Sequence, residues 1–72
     1  MIKRFEDTKV GRDIVVYTNG VSPSIAERVM YEIIERFKKT RRRFHRIDLG
    51  ENDCVVSVIS GIDGYYLQFS AI

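Results

Sequence analysis

One stretch of this chain repeats its apolar residues at three- and four-residue spacing: Ile25, Ala26, Val29, Met30, Ile33, Ile34 and Phe37. That period lays them along a single stripe of an α-helix and turns Glu27, Arg28, Glu32, Glu35, Arg36 and Lys39 the other way. Everything else in the fold must be built against this stripe. The start is marked twice: Ser22-Pro23 fits an N-cap with proline at the first helical position, and Ser24 with Glu27 fits a capping box. Glu32 with Arg36 and Glu35 with Lys39 are i, i+4 pairs in the favourable order. The helix is expected from about residue 23 to about residue 41, its cationic last turn complementing the negative end of the dipole.

The remaining segments read as strands. Asp13 to Thr18 is rich in β-branched residues and stops at Asn19-Gly20, a turn dipeptide leading into the helix. Phe44 to Leu49 is a second strand, followed by a turn at Gly50-Glu51-Asn52. Cys54 to Ser60 is a third, apolar on both sides and therefore expected at the centre. Gly61 to Gly64 closes a hairpin, and Tyr65 to Ala71 returns as a fourth. Residues 2 to 6 supply a candidate short extra strand at the front. The expected fold is a single α+β domain over 1–72, a two-layer sandwich with one amphipathic helix on a four-stranded, mostly antiparallel sheet in the order β-α-β-β-β.

Strand alternation then assigns faces. Tyr65, Leu67, Phe69 and Ala71 face the helix, as do Cys54, Val56, Val58, Ile47 and Leu49. Tyr66, Gln68, Ser70 and Ile72 face away, with Val55, Ser57, Ile59, Phe44, Arg46 and Asp48. The first strand shows either Val15 and Tyr17 or Ile14 and Val16 to the outside. A helix of about 18 residues is roughly 27 Å long and ~10 Å wide, enough for one side of such a sheet. Val55, Ile59, Tyr66 and Gln68 are therefore the candidate partner-binding residues, since a contiguous exposed apolar patch of a few hundred Å2 marks an interaction surface. The alternative is that the N-terminal segment, with Ile2, Phe5 and Val10, folds back over this face and seals it.

Size sharpens the point. A domain of 72 residues buries only about 60% of its unfolded surface, and a single cysteine, Cys54, cannot form an internal disulfide to compensate. Association with a partner or a second copy is the remaining route to burying more. The lone thiol implies no oxidising compartment, so a cytoplasmic protein is expected. Glu6 and Asp7 interrupt any secretory signal at the front, and no apolar run approaches the ~20 residues needed to span a bilayer.

Seven of the twelve basic residues (Arg36, Lys38, Lys39, Arg41, Arg42, Arg43 and Arg46) fall between residues 36 and 46 with no acid among them, although the formal net charge is only +2. Capping a helix needs two or three such charges. The excess makes Lys38, Lys39, Arg41, Arg42, Arg43 and Arg46 a candidate phosphate-binding patch, with Phe44 and Tyr66 near enough to stack on unpaired bases.

Catalytic chemistry is not expected. His45 and Cys54 are the only histidine and cysteine, and a thiol inside an apolar run is a buried hydrophobe, not a nucleophile. One of each falls short of a zinc site, Asp48, Asp53 and Asp63 suit turns, and the glycines lack a phosphate-cradling pattern. No cofactor, metal, membrane or small-molecule substrate is implied. The expected function is a non-enzymatic protein-interaction module of adaptor or inhibitor type. It binds a partner or itself through the open sheet face, and the basic helix end steers an acidic partner. The alternative is an RNA- or DNA-binding protein using the basic run and its neighbouring aromatics.

Overall fold

The computed structural model of the chain describes residues 2–7, 12–48 and 53–72. Strand β1 (Ile2–Asp7) is followed by β2 (Arg12–Asn19), helix α1 (Pro23–Thr40), β3 (Phe44–Asp48), β4 (Asp53–Ser60) and β5 (Gly64–Ala71). The five strands form one sheet in the order β1-β2-β5-β4-β3, and the helix lies on one side of it. The two-layer α+β arrangement is as the sequence predicts, but the sheet has five strands instead of four. The segment at residues 2 to 6 is a full edge strand, antiparallel to β2. The central strand is β5, not β4, which lies between β5 and β3. The expected turn at residues 50–52, the inward packing of Leu49 and the position of Val10 lie outside the described residues.

Helix length explains the topology. An 18-residue helix is about 27 Å long, so α1 leaves the end of β2 and delivers the chain to the far edge of the sheet. The helix reverses the chain, so β3 runs in the same direction as β2. Two antiparallel turns later, β5 again has that direction and drops into the gap beside β2, making the one parallel pairing among three antiparallel ones.

Alternation along the strands delivers the core. Ile14, Val16, Cys54, Val56, Val58, Tyr65, Leu67 and Phe69 point at the helix and meet Ala26, Met30, Ile33, Ile34 and Phe37, all buried. Phe37 and Tyr65 meet edge to face, with ring centroids 6.4 Å apart, a favoured aromatic geometry. Phe5 of β1 and Ile47 of β3 extend this core to both edges.

The cap at the helix start is Ser22, with Pro23 at the first position and the Ser22 carbonyl accepting from Ile25 and Ala26 N–H. The Ser24–Glu27 capping box does not form, because Ser24 already lies inside the helix and its hydroxyl meets that of Ser22 at 2.9 Å. Glu27 instead pairs with Lys3 of β1 at 3.4 Å. Glu32 takes Arg36 at 3.0 Å as expected, whereas Glu35 takes Lys38, one residue nearer than the expected Lys39, at 3.5 Å.

Gly64 opens β5 directly beside Asp13 in the parallel register. A Cβ on Gly64 would overlap the Asp13 backbone carbonyl, so only glycine lets the hairpin bring β5 this close to β2. Gly64→Ala is expected to lower unfolding stability by about 1–3 kcal/mol, read as a shift in the urea midpoint with unchanged slope. A neutral substitution would mean that β2 and β5 do not approach as described.

Candidate functional site: an open sheet face with a basic corner

The register stacks outward-facing residues into rows across the side of the sheet opposite the helix. One row runs Arg4, Val15, Tyr66, Ile59; the next runs Ile2, Tyr17, Gln68, Ser57, Phe44; a third runs Asn19, Ser70, Val55, Arg46. All four sequence-predicted partner-binding residues (Val55, Ile59, Tyr66 and Gln68) therefore share one surface. Of the two faces left open for β2, Val15 and Tyr17 are the pair that points outward, while Ile14 and Val16 are buried.

Residues 2–7 do not fold back over this surface. They pair edge-on with β2, and no described segment lies over Ile59, which is 61% exposed, or Phe44, which is 69% exposed. The sequence reading missed Ile2, 64% exposed, which its register with Tyr17 puts on the open face. The signal was available: alternation through Ile2, Arg4 and Glu6 separates them from Phe5, which packs on the core. Near the β4–β5 hairpin the face dips into a broad hollow of about 390 Å3 between Arg4, Asp13, Val15, Ile59, Ile62 and Tyr66.

The basic run does not form one patch. Arg36 and Lys38 are held by Glu32 and Glu35 on the helix. Arg46 lies on the open face and donates to the Asp53 carboxylate at 2.7 Å, a hydrogen bond that, with the charge of the same group, pushes the arginine pKa further up. Lys39, Arg41, Arg42 and Arg43 have no ion-pair partner among the described residues and crowd the corner where the helix hands the chain to β3.

That corner is shaped by Arg41, the helix C-cap, whose φ of 59° lies in the left-handed region. Its N–H reaches the Phe37 carbonyl at 2.7 Å and its guanidinium sits 5.8 Å from the centre of the Phe37 ring. Thr40 completes the stop, its hydroxyl donating to the Arg36 carbonyl at 2.9 Å and accepting from Arg42 N–H at 3.2 Å.

His45 and Cys54 both point to the helix side, opposite Val56 and Ile47 respectively. The His45 Nε2 lies 2.8 Å from the Arg42 carbonyl, which spends that nitrogen on shaping the turn. Cys54 is fully buried, and burial, helped by the Asp53 charge, pushes its thiol pKa up, the reverse of what an activated thiol needs. Among the described residues no helix is long and apolar enough to cross a membrane.

Comparison of the chain with models of protein families, with curated proteins and with solved structures finds no match.

The left-handed turn at Arg41 gives a direct test of this corner. A side chain with a Cβ costs roughly 1–2 kcal/mol there relative to glycine. Arg41→Gly and Arg41→Ala both remove the guanidinium, so Arg41→Gly is expected to be the more stable of the two by about 1 kcal/mol in thermal or urea unfolding. Equal stabilities would place Arg41 elsewhere in backbone space.

Proposed function

We infer that this chain is a non-enzymatic protein-interaction module of adaptor or inhibitor type, working in the cytoplasm. It binds through the open sheet face, with Val55, Ile59, Tyr66 and Gln68 at the contact and the Arg41–Arg43 corner steering the approach of an acidic surface. One observation carries the reading: large apolar side chains stand exposed in register on a sheet face that no described segment covers. Such a patch with polar residues interspersed suits a protein contact better than a base-stacking platform, because aliphatic Val15, Val55 and Ile59 stand where stacking would want aromatic rings. The buried thiol and the engaged imidazole support a role without covalent chemistry, and a lone reduced cysteine fits the cytoplasm.

The test uses a photo-reactive amino acid placed at Ile59 or, as control, at Glu32 on the outer side of the helix. Irradiation in the producing cells is expected to give protein adducts from position 59 and none from position 32. No adducts from position 59, or equal labelling from both, would overturn the reading.

A second reading, binding of RNA or DNA, is favoured by Lys39, Arg41, Arg42 and Arg43 having no ion-pair partner among the described residues beside an exposed Phe44. It calls for fluorescence anisotropy with single- and double-stranded oligonucleotides at two salt concentrations. Nucleic-acid binding requires affinity that falls steeply with salt and a shallower slope when Arg41, Arg42 and Arg43 become alanine. The protein-interaction reading expects no salt-sensitive binding at about 50 mM salt, where phosphate contacts are strong.

A further inference from the structure

We propose that the open sheet face is closed by a second copy of this chain, related by a two-fold axis that runs along β5 through Gln68. Ile2 of each copy then packs on Phe44 of the partner subunit. The proposal rests on the protein-interaction reading and names its partner.

Three observations converge on this arrangement. The first is area. The molecule is a slab of 33 × 25 × 16 Å, and its broad face offers roughly 800 Å2, the share each partner contributes to a standard specific interface.

The second is the order of residues across the middle row. Gln68 lies on the central strand with Tyr17 and Ser57 on either side, and the row ends in Ile2 on one edge strand and Phe44 on the other. A two-fold axis along β5 exchanges the two edges. It sets Ile2 over Phe44 of the partner subunit, Tyr17 over the partner's Ser57 and the Gln68 amide against its own copy, a side chain that both donates and accepts. In the adjoining row Val15 meets the partner's Ile59. Aligned face-to-face packing within about 30° is the ordinary way two twisted sheets stack.

The third is charge. Arg46 is neutralised by its own Asp53, so the face brings no unpaired arginine to its third row. Pairing edge to edge is opposed by Lys3, Arg4 and Glu6 on β1 and by Arg46 and Asp48 on β3, because charged edge strands resist adding another strand.

Light scattering on size-exclusion fractions and a short thiol-to-thiol cross-linker test this arrangement together, with the buried Cys54 serving as the unreactive background. The wild-type chain is expected to run as a dimer, and Ile59→Glu as a folded monomer with an unchanged circular dichroism spectrum. Should Ile59→Glu unfold, Gln68→Arg, which sets two like charges on the axis, takes its place. A mixture of Ile2→Cys and Phe44→Cys chains is expected to cross-link as the hetero-pair. Phe44→Cys alone is expected not to, because the axis holds its two copies four strand spacings, about 19 Å, apart. A monomer at high concentration overturns the proposal, as does a dimer in which Phe44→Cys links to itself and not to Ile2→Cys. Photo-adducts at position 59 that contain only other proteins also overturn it while leaving the protein-interaction reading standing; absence of adducts removes both.

Discussion

A single apolar stripe on a single helix governs this molecule. Ala26, Met30, Ile33, Ile34 and Phe37 bury one side of the sheet, and among the described residues there is no second helix to bury the other. Strand hydrophobicity is not matched to that economy. The inward residues of β2, β4 and β5 are buried almost completely, yet Val15, Val55, Ile59 and Tyr66 give the outward side of the same strands an apolar character that one layer of cover leaves in water. Burial of apolar area is worth about 25 cal/mol per Å2, so a face of this size stores a driving force for association that the isolated chain does not use.

The edges of the sheet are held differently from its middle. β5 is locked between β2 and β4, with Leu67 and Phe69 fully buried and Gly64 allowing the parallel strands to close up. β1 has the ladder to β2, the Phe5 side chain in the core, and two polar ties to the helix: Lys3 to Glu27 at 3.4 Å, and the Tyr31 hydroxyl donating to the Glu6 carbonyl at 3.3 Å. Exposed pairs of that kind contribute at most about 1 kcal/mol each. β1 is consequently held mainly by its backbone pairing and by Phe5, and like any edge strand with few buried contacts it opens more readily than the middle of the sheet. A surface that depends on Ile2 inherits that looseness, and covering it would stiffen β1 in turn.

Most of this fold is legible in the chain because two periodicities are cleanly separated. The helix stripe at residues 25–37 and the alternation in β4 and β5 assign the core residues of those elements and the outward placement of Val55, Ile59, Tyr66 and Gln68, while the alternation in β2 left open which of its two faces, Ile14 and Val16 or Val15 and Tyr17, turns inward. What escaped has physical causes. β1 is an edge strand whose charges, Lys3, Arg4 and Glu6, mask its alternation, and only Ile2 and Phe5 betray it. β4 looks central because both its faces are apolar, but that double hydrophobicity reflects an uncovered face instead of two covered ones. The parallel β2–β5 pairing depends on how far the helix carries the chain, a tertiary distance that no local pattern encodes. Arg41 in the left-handed region could not be read either, since glycine is the usual residue there and arginine gives no local sign of it.

The basic run illustrates how pairing redistributes charge. Three of its seven cations are held by Glu32, Glu35 and Asp53, so the field that extends into solvent comes from Lys39, Arg41, Arg42 and Arg43 at one corner. At physiological salt that field decays over about 8 Å, which is less than the width of the sheet, so the corner acts on whatever approaches the β3 edge and hardly at all on the centre of the face. Exposed cations at a rim contribute to encounter rate and orientation more than to the energy of the final contact. Placement therefore separates the two features: the apolar rows lie on the open face, and the unpaired cations lie at the corner beside Phe44.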